Sequence, residues 1–279
     1  MSAVIKLSSP ATREFWEIPV LHEDEHLLAL DKPAGLLASP DRHDPERPDP
    51  EPPNLMKLLH EGIAAGKPWA VERHLDYLSL PHWLDAGTSG ILLLAKTKPV
   101  LVTLADSFGA QTPAWKYVAL VQGSPHDERF EVNARLAADP LKPEMVRVDP
   151  RTGKKAQTVF EVLERFPDWT LLRCRPLTDR KHQIRVHLQN SGLRIAGDAL
   201  YGGRPLWLSR LKKTYRLKPG HVERPLISRV ALHAEHLELP HPVTGETITI
   251  TAPWPKDLRV ALKYLRQCAG RSSEDATLQ

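Results

Sequence analysis

Asp85 stands in PHWLDAGTSGILLLAK, residues 81–96, on a turn of small polar residues directly before an apolar strand. This layout describes a buried, positioned acid, the form in which a carboxylate serves a reaction and not merely solubility. The glycine-containing turn allows a ligand to approach the backbone closely, and GILLLA behind it is a rigid base. Other polar residues fall at the ends of predicted strands: Lys32, Tyr117, and the cluster Thr178, Arg180, His182, Gln183 and Arg185. Taken alone, LDxxTSG also suits a turn-forming Asp, Tyr117 an ordinary sheet aromatic and Arg185 a surface charge. Asp76, in ERHLDYLSL, follows His-Leu as well, but neither a TSG turn nor a strand like GILLLAK comes after it.

Metal and nucleotide chemistry find little support. The chain has thirteen histidines, of which His233, His236 and His241 are close in sequence. On a strand the first two point to opposite faces, and no Cys or HExxH spacing accompanies them. His182 and His187 do not share a helical face. The two cysteines, Cys174 and Cys268, form no CxxC pair and imply neither a disulfide framework nor a zinc site. GxSxG, GxGxxG and GxxxxGK[ST] are all absent, so no nucleophile elbow, dinucleotide fold or triphosphate loop is indicated.

The elements that must position these residues read as a strand-rich chain with a few helices. HLLALD is a strand closing on a Lys-Pro-Ala-Gly turn, and residues 40–53, with six prolines, form an extended loop. Asn54 caps a short amphipathic helix carrying Leu55, Leu58, Leu59 and Ile63, and Pro99 opens a second with Leu101, Leu104 and Phe108 on one face. WKYVALVQG, FEVNARL, MVRVD, AQTVFEVLERF and WTLLRCRPL are successive strands. HQIRVHLQNSG is a helix stopped by Gly192; RVALHAEHLEL and TITIT are strands before a last helix, PKDLRVALKYLRQ. The fold class is therefore α+β, a mixed and mainly antiparallel sheet with flanking helices. Residues 1–19 read as an N-terminal extension, 20–266 as one catalytic domain and 267–279 as a disordered tail.

The 279 residues, 41% of them hydrophobic, suffice for a sizeable core. The longest apolar run is about six residues, too short to cross a membrane, and the N-terminus has no signal-peptide pattern. A cytoplasmic monomer without membrane attachment is expected. The net charge of +4 hides an uneven distribution. Residues 1–53 carry 5 Lys or Arg against 11 Asp or Glu, and the excess of positive charge lies beyond them. It gathers at 173–185 and in RPLWLSRLKKTYRLKPGHVER, residues 204–224, where Trp207 and Tyr215 are interleaved. Cations alternating with aromatics suit a phosphate backbone with bases that stack.

Five segments, in order, resemble the pseudouridine synthases of the RluA type. ALDKPAGLLASP matches a strand ending in KPxG, HWLDAGTSGILLLAK an HRLDxxTSGLLLLAK element, and WKYVALVQG a KxYxALVxG strand. TDRKHQIRVHL, followed by GDALYGG, matches TGRxHQIRxHL, and LHAEHLELPHPVTGE matches LHAxxLxxxHPxTGE. The resemblance spans roughly residues 20–255, and five ordered motifs are far more specific than any one.

That resemblance implies an RNA pseudouridine synthase acting on uridines of tRNA or rRNA, with no cofactor and no metal. Uridine is isomerised by breaking the bond from ribose C1′ to the base nitrogen, turning the base and joining C1′ to carbon 5. The resemblance assigns the nucleophile, or the base acting on the sugar, to Asp85, its ion-pairing guanidinium to Arg185, and stacking on the base with proton removal to Tyr117. Substrate contacts are expected from Trp83, Thr88, Lys32, Arg180, Lys181, His182 and Gln183, and backbone contacts from Lys154, Lys155 and the 204–224 stretch. The target nucleotide must flip out of its stack to be reached. Two positions depart from the family pattern: Trp83 replaces an Arg, and Asp179 a Gly. Trp83 cannot pair a carboxylate but can stack between bases. The departures leave a second reading, a catalytically silent RNA-binding protein on the same fold; a glycoside hydrolase would require a second carboxylate that no motif supplies.

Overall fold

The computed structural model describes residues 3–40, 52–212, 214–218 and 220–275. Most of the proline-rich loop, residues 41–51, lies outside the described residues. In chain order, β1 (Val4–Ser9), β2 (Glu14–Glu23) and β3 (Leu27–Lys32) precede helices α1 (Leu55–Ala64) and α2 (Pro68–Val71). Then come β4 (Ser89–Ala95), α3 (Lys98–Gly109), β5 (Ala114–Gln122), β6 (Arg129–Ala138), β7 (Val146–Val148), β8 (Lys154–Arg165) and β9 (Trp169–Pro176). Helix α4 (Gln183–Asn190), β10 (Arg194–Ile195) and the short helix α5 (Leu208–Leu211) lead to β11 (Leu232–Pro240), β12 (Thr247–Thr251) and α6 (Lys256–Asp275).

Two compact units result, one of Met1–Trp115 with Ala234–Pro253, the other of Lys116–His233 with Trp254–Gln279. The sequence pattern indicates a single domain over 20–266, whereas each unit holds its own hydrophobic cluster. In the first unit the strand order is β1-β2-β3-β4-β11, with β12 antiparallel to β11. β4 is buried along its whole length, as expected of a strand covered on both faces. Its apolar run packs with Leu27, Ala29, Val100 and Leu104. Gly90, at φ +108°, lies so close to the Ala234 backbone that a Cβ would overlap it. Thr97 caps α3 by accepting a hydrogen bond from Val100 N–H, and Asn54 caps α1 through Lys57 N–H.

The second unit is an antiparallel array β5-β9-β8-β6-β7, with β10 on the edge of β5. Its core joins Val118, Leu120, Phe160, Leu171 and Leu172 to Ile184 and Leu188 of α4 and to Leu258, Leu262 and Leu265 of α6.

Two expected boundaries are corrected. Residues 1–19 are no appended extension: β1 pairs with β2 from Val4↔Pro19 to Ser9↔Glu14, and the alternation of VIKLSS buries Ile5 and Leu7. The tail expected from residue 267 is helical to Asp275, because α6 continues past the apolar positions that anchor it.

Candidate active site

The Asp85 segment is held from three directions. Along 82–85 burial alternates: His82 and Leu84 are buried, Trp83 is 54% exposed and Asp85 is half-buried. Asp85 to Thr88 is a turn closed by Thr88 N–H donating to the Asp85 carbonyl at 3.1 Å. The Ala86 carbonyl that follows accepts from Gly35 N–H at 2.8 Å and from Lys32 Nζ at 3.2 Å. The same ammonium donates to the carbonyls of Pro33 and Leu36 at 2.9 and 2.8 Å. Lys32 thus sews the Lys-Pro-Ala-Gly turn to the residue after Asp85. Gly35, at φ +90°, supplies the left-handed backbone this turn needs.

His82 is the third anchor. Its Nε2 accepts a hydrogen bond from Leu93 N–H in β4 at 3.0 Å, and its ring stacks on Phe108 and tilts against Trp115. A backbone N–H can only donate, so Nε2 carries no proton and the imidazole is neutral. Burial pushes its pKa down to about 4. His187, buried on α4 with Nδ1 2.9 Å from Thr158 Oγ1, is also pushed down by burial to about 4. Between about pH 4 and 6.5 the unfolded chain binds more protons at these two histidines than the folded one. Stability is therefore lost as pH falls through that window, by roughly 3 kcal/mol for His82. In His82→Gln, urea unfolding from about pH 6.5 to 5 is expected to show a slope shallower by about one proton, or ~1.4 kcal/mol per pH unit. An unaltered slope would mean that the folded protein already protonates His82.

The second unit carries the remaining candidates. Tyr117 is half-buried on β5, opposite Cys174 of β9, and packs on that unit's core. Arg185, on the first turns of α4, is buried and makes a bidentate ion pair with Asp198: Nε to Oδ2 and NH2 to Oδ1, both 2.8 Å. Its guanidinium carbon lies 4.9 Å from the centre of the Tyr201 ring. The Tyr201 hydroxyl accepts from Val146 N–H at 2.9 Å and lies 2.8 Å from His182 Nδ1. His182 itself caps α4 in the left-handed region, at φ 56°, and so stands outside the helix it was expected to begin. Asp198 and Tyr201 both come from GDALYGG, a tight turn in which a Cβ on Gly197 would overlap the Arg229 carbonyl. Sequence reasoning named neither residue as part of the site, nor His82.

Two expected substrate contacts are corrected to positioning residues. Lys32 is fully buried with its ammonium on three carbonyls. Gln183, 4% exposed, accepts from Thr178 Oγ1 at 2.7 Å and donates to the Gln157 carbonyl and to Thr158 Oγ1, both at 3.0 Å. Groups desolvated and engaged in this way hold loops, since freeing them for a ligand would cost their existing hydrogen bonds. Thr88 is also buried, at 2%. Arg180, Lys181, Lys154 and Lys155 reach the surface to differing degrees, Arg180 with Nε on the Lys155 carbonyl at 3.2 Å. Asp76 is exposed. Among the described residues, no group of three or more His, Cys, Asp or Glu could hold a metal ion, and no helix is long and apolar enough to cross a membrane.

The family model of RNA pseudouridylate synthases matches residues 26–190, from β3 through the last residue of α4. The chain belongs to this family. Ribosomal large subunit pseudouridine synthase D of Xanthomonas campestris is 33% identical over 98% of this chain and 77% of its own length. Ribosomal large subunit pseudouridine synthase C of Vibrio vulnificus is 35% identical over 88% and 69%. Among solved structures, human RNA pseudouridylate synthase domain containing 4 covers 88% of this chain and 92% of its own, with a TM-score of 0.65 at 22% identity. That likeness extends the agreement to the fold. This synthase is thus an isomerase acting on RNA, built on the α+β architecture its strand pattern indicates.

Proposed function

We propose that this synthase converts uridines of ribosomal large-subunit RNA to pseudouridine, with Asp85 as nucleophile. The observation that carries the substrate is the pair of relatives named above, both ribosomal large subunit enzymes, aligned over most of this chain. Asp85 attacks, or acts as base on, the sugar as the bond from C1′ to N1 breaks; the uracil turns, C1′ joins carbon 5, and the proton on carbon 5 leaves as N1 regains one. No oxidant or energy source enters this balance. Tyr117 is assigned to stacking on the uracil and to removal of the proton, and Arg185 to the reaction as its guanidinium, whose plane is fixed by Asp198. Support for Asp85 comes from its turn: a half-buried carboxylate on backbone anchored by Lys32, Gly35 and His82 is preorganised for one approach.

The test is to incubate the protein with transcribed large-subunit rRNA and with transcribed tRNA and to map pseudouridine in each. Product in rRNA is expected, and product in tRNA alone would overturn the substrate assignment. Trp83 is assigned to stacking on RNA, because its indole is held outward between two buried neighbours. Trp83→Ala is expected to weaken RNA binding by about 1–3 kcal/mol, the typical worth of one stacked base. Unchanged affinity and rate would remove it from the site.

A further inference from the structure

The 204–224 segment belongs to the second unit and follows the GDALYGG turn, and a bridge between Leu206 and Ile227 closes it. Leu206 and Ile227 are buried in that unit's core, and Leu211 and Leu226 pack against it. Glu223 accepts from Ser209 N–H at 2.9 Å and so ties the far side of the loop to the start of α5. One side of the segment is therefore anchored. The other is cationic: the segment has seven Lys or Arg and one acid, that same Glu223. Arg204, Arg210, Lys212, Lys218 and Arg224 are all exposed. Lys213 and Pro219 lie outside the described residues.

Elsewhere on the unit, exposed or half-buried arginines meet carboxylates: Arg147 with Asp149, Arg165 with Glu128, Arg229 with Asp257 and Arg266 with Glu164. Among the described residues, Arg204, Arg210, Lys212, Lys218 and Arg224 make no such pair. Like charges gathered on an anchored loop repel one another, a cost that a polyanion removes. Trp207 and Tyr215, both half-buried, lie between these cations in the chain, offering flat faces beside charges as single-stranded RNA prefers.

We propose that the exposed cations of this segment form a phosphate-binding surface for the RNA substrate, supplying affinity independent of the target uridine. The proposal rests on the reading that ribosomal RNA is the substrate. The test compares Asp85→Asn protein with and without Arg210→Ala, Lys212→Ala, Lys218→Ala and Arg224→Ala, measuring Kd for a fluorescein-labelled transcript of large-subunit rRNA across a salt series. The fourfold variant is expected to bind at least about tenfold more weakly, and its slope of log Kd against log salt to fall by roughly 0.7–0.9 for each phosphate that the protein no longer neutralises. Removing Lys57 and Lys67, exposed cations of the first unit, is expected to change neither quantity. Unchanged Kd and slope in a variant that melts like the parent would overturn the proposal. So would weakened binding to intact ribosomal subunits with unaltered binding to the naked transcript, since the partner would then be protein. If wild-type protein modifies only tRNA, the substrate reading fails, and the same comparison on a tRNA transcript still reports on the surface.

Discussion

Asp85→Asn is expected to reduce pseudouridine formation by at least about 10⁴-fold, the scale of loss when a reacting group is removed from a covalent mechanism. The substitution exchanges one carboxylate oxygen for an amide nitrogen at nearly constant volume. It removes the negative charge and the lone pair that would attack or accept a proton, and it leaves the backbone alone. That matters because the turn is closed by the Asp85 carbonyl, which accepts from Thr88 N–H, and braced through Ala86 by Gly35 and Lys32. None of these bonds uses the Asp85 carboxylate, so each of them is expected to persist in the variant. RNA affinity should therefore remain within a few-fold of wild type while the single-turnover rate disappears. Asp76→Asn provides the matching control: this exposed residue also follows His-Leu, and its loss should leave the rate unaltered. A surviving rate above about one hundredth of wild type in Asp85→Asn would refute its assignment as nucleophile.

The contrast between Asp85 and its supports shows what a sequence exposes. SGILLLA is legible as a buried strand because an unbroken apolar run has no solvent-facing alternative, and all seven residues are buried. Lys32 is not legible in this way. A lysine is taken for a surface charge or a ligand contact, and only the fold of the Lys-Pro-Ala-Gly turn brings three carbonyls around it. VIKLSS gives too weak a signal by itself, because a single short alternation becomes a strand only when a partner such as β2 lies beside it. The partner of Arg185 is equally hidden. Asp198 lies beyond α4, a turn and β10, and nothing in local pattern says that this path folds back to present a carboxylate in the plane of the guanidinium.

That hidden pair gives the largest expected effect on stability. Asp198→Ala would leave the Arg185 guanidinium buried without the carboxylate that now meets two of its donors, the side chains being 8% and 1% exposed. Removing one partner of a buried ion pair typically costs about 3–5 kcal/mol. The loss should appear in urea unfolding as a lower midpoint at constant slope. Arg185 is also assigned to the reaction, so loss of activity alone could not separate folding from chemistry. The double variant Arg185→Met with Asp198→Leu makes that separation. Apolar replacements of similar reach abolish the buried charge, and stability is expected to recover by at least half of the single-variant loss. Activity is expected to stay absent, because the guanidinium assigned to the reaction is gone. If stability and activity recovered together, the pair would be purely structural and Arg185 would have no part in the chemistry. If Asp198→Ala unfolded no earlier than wild type, water or another group would have to satisfy the guanidinium, and its orientation would not depend on Asp198.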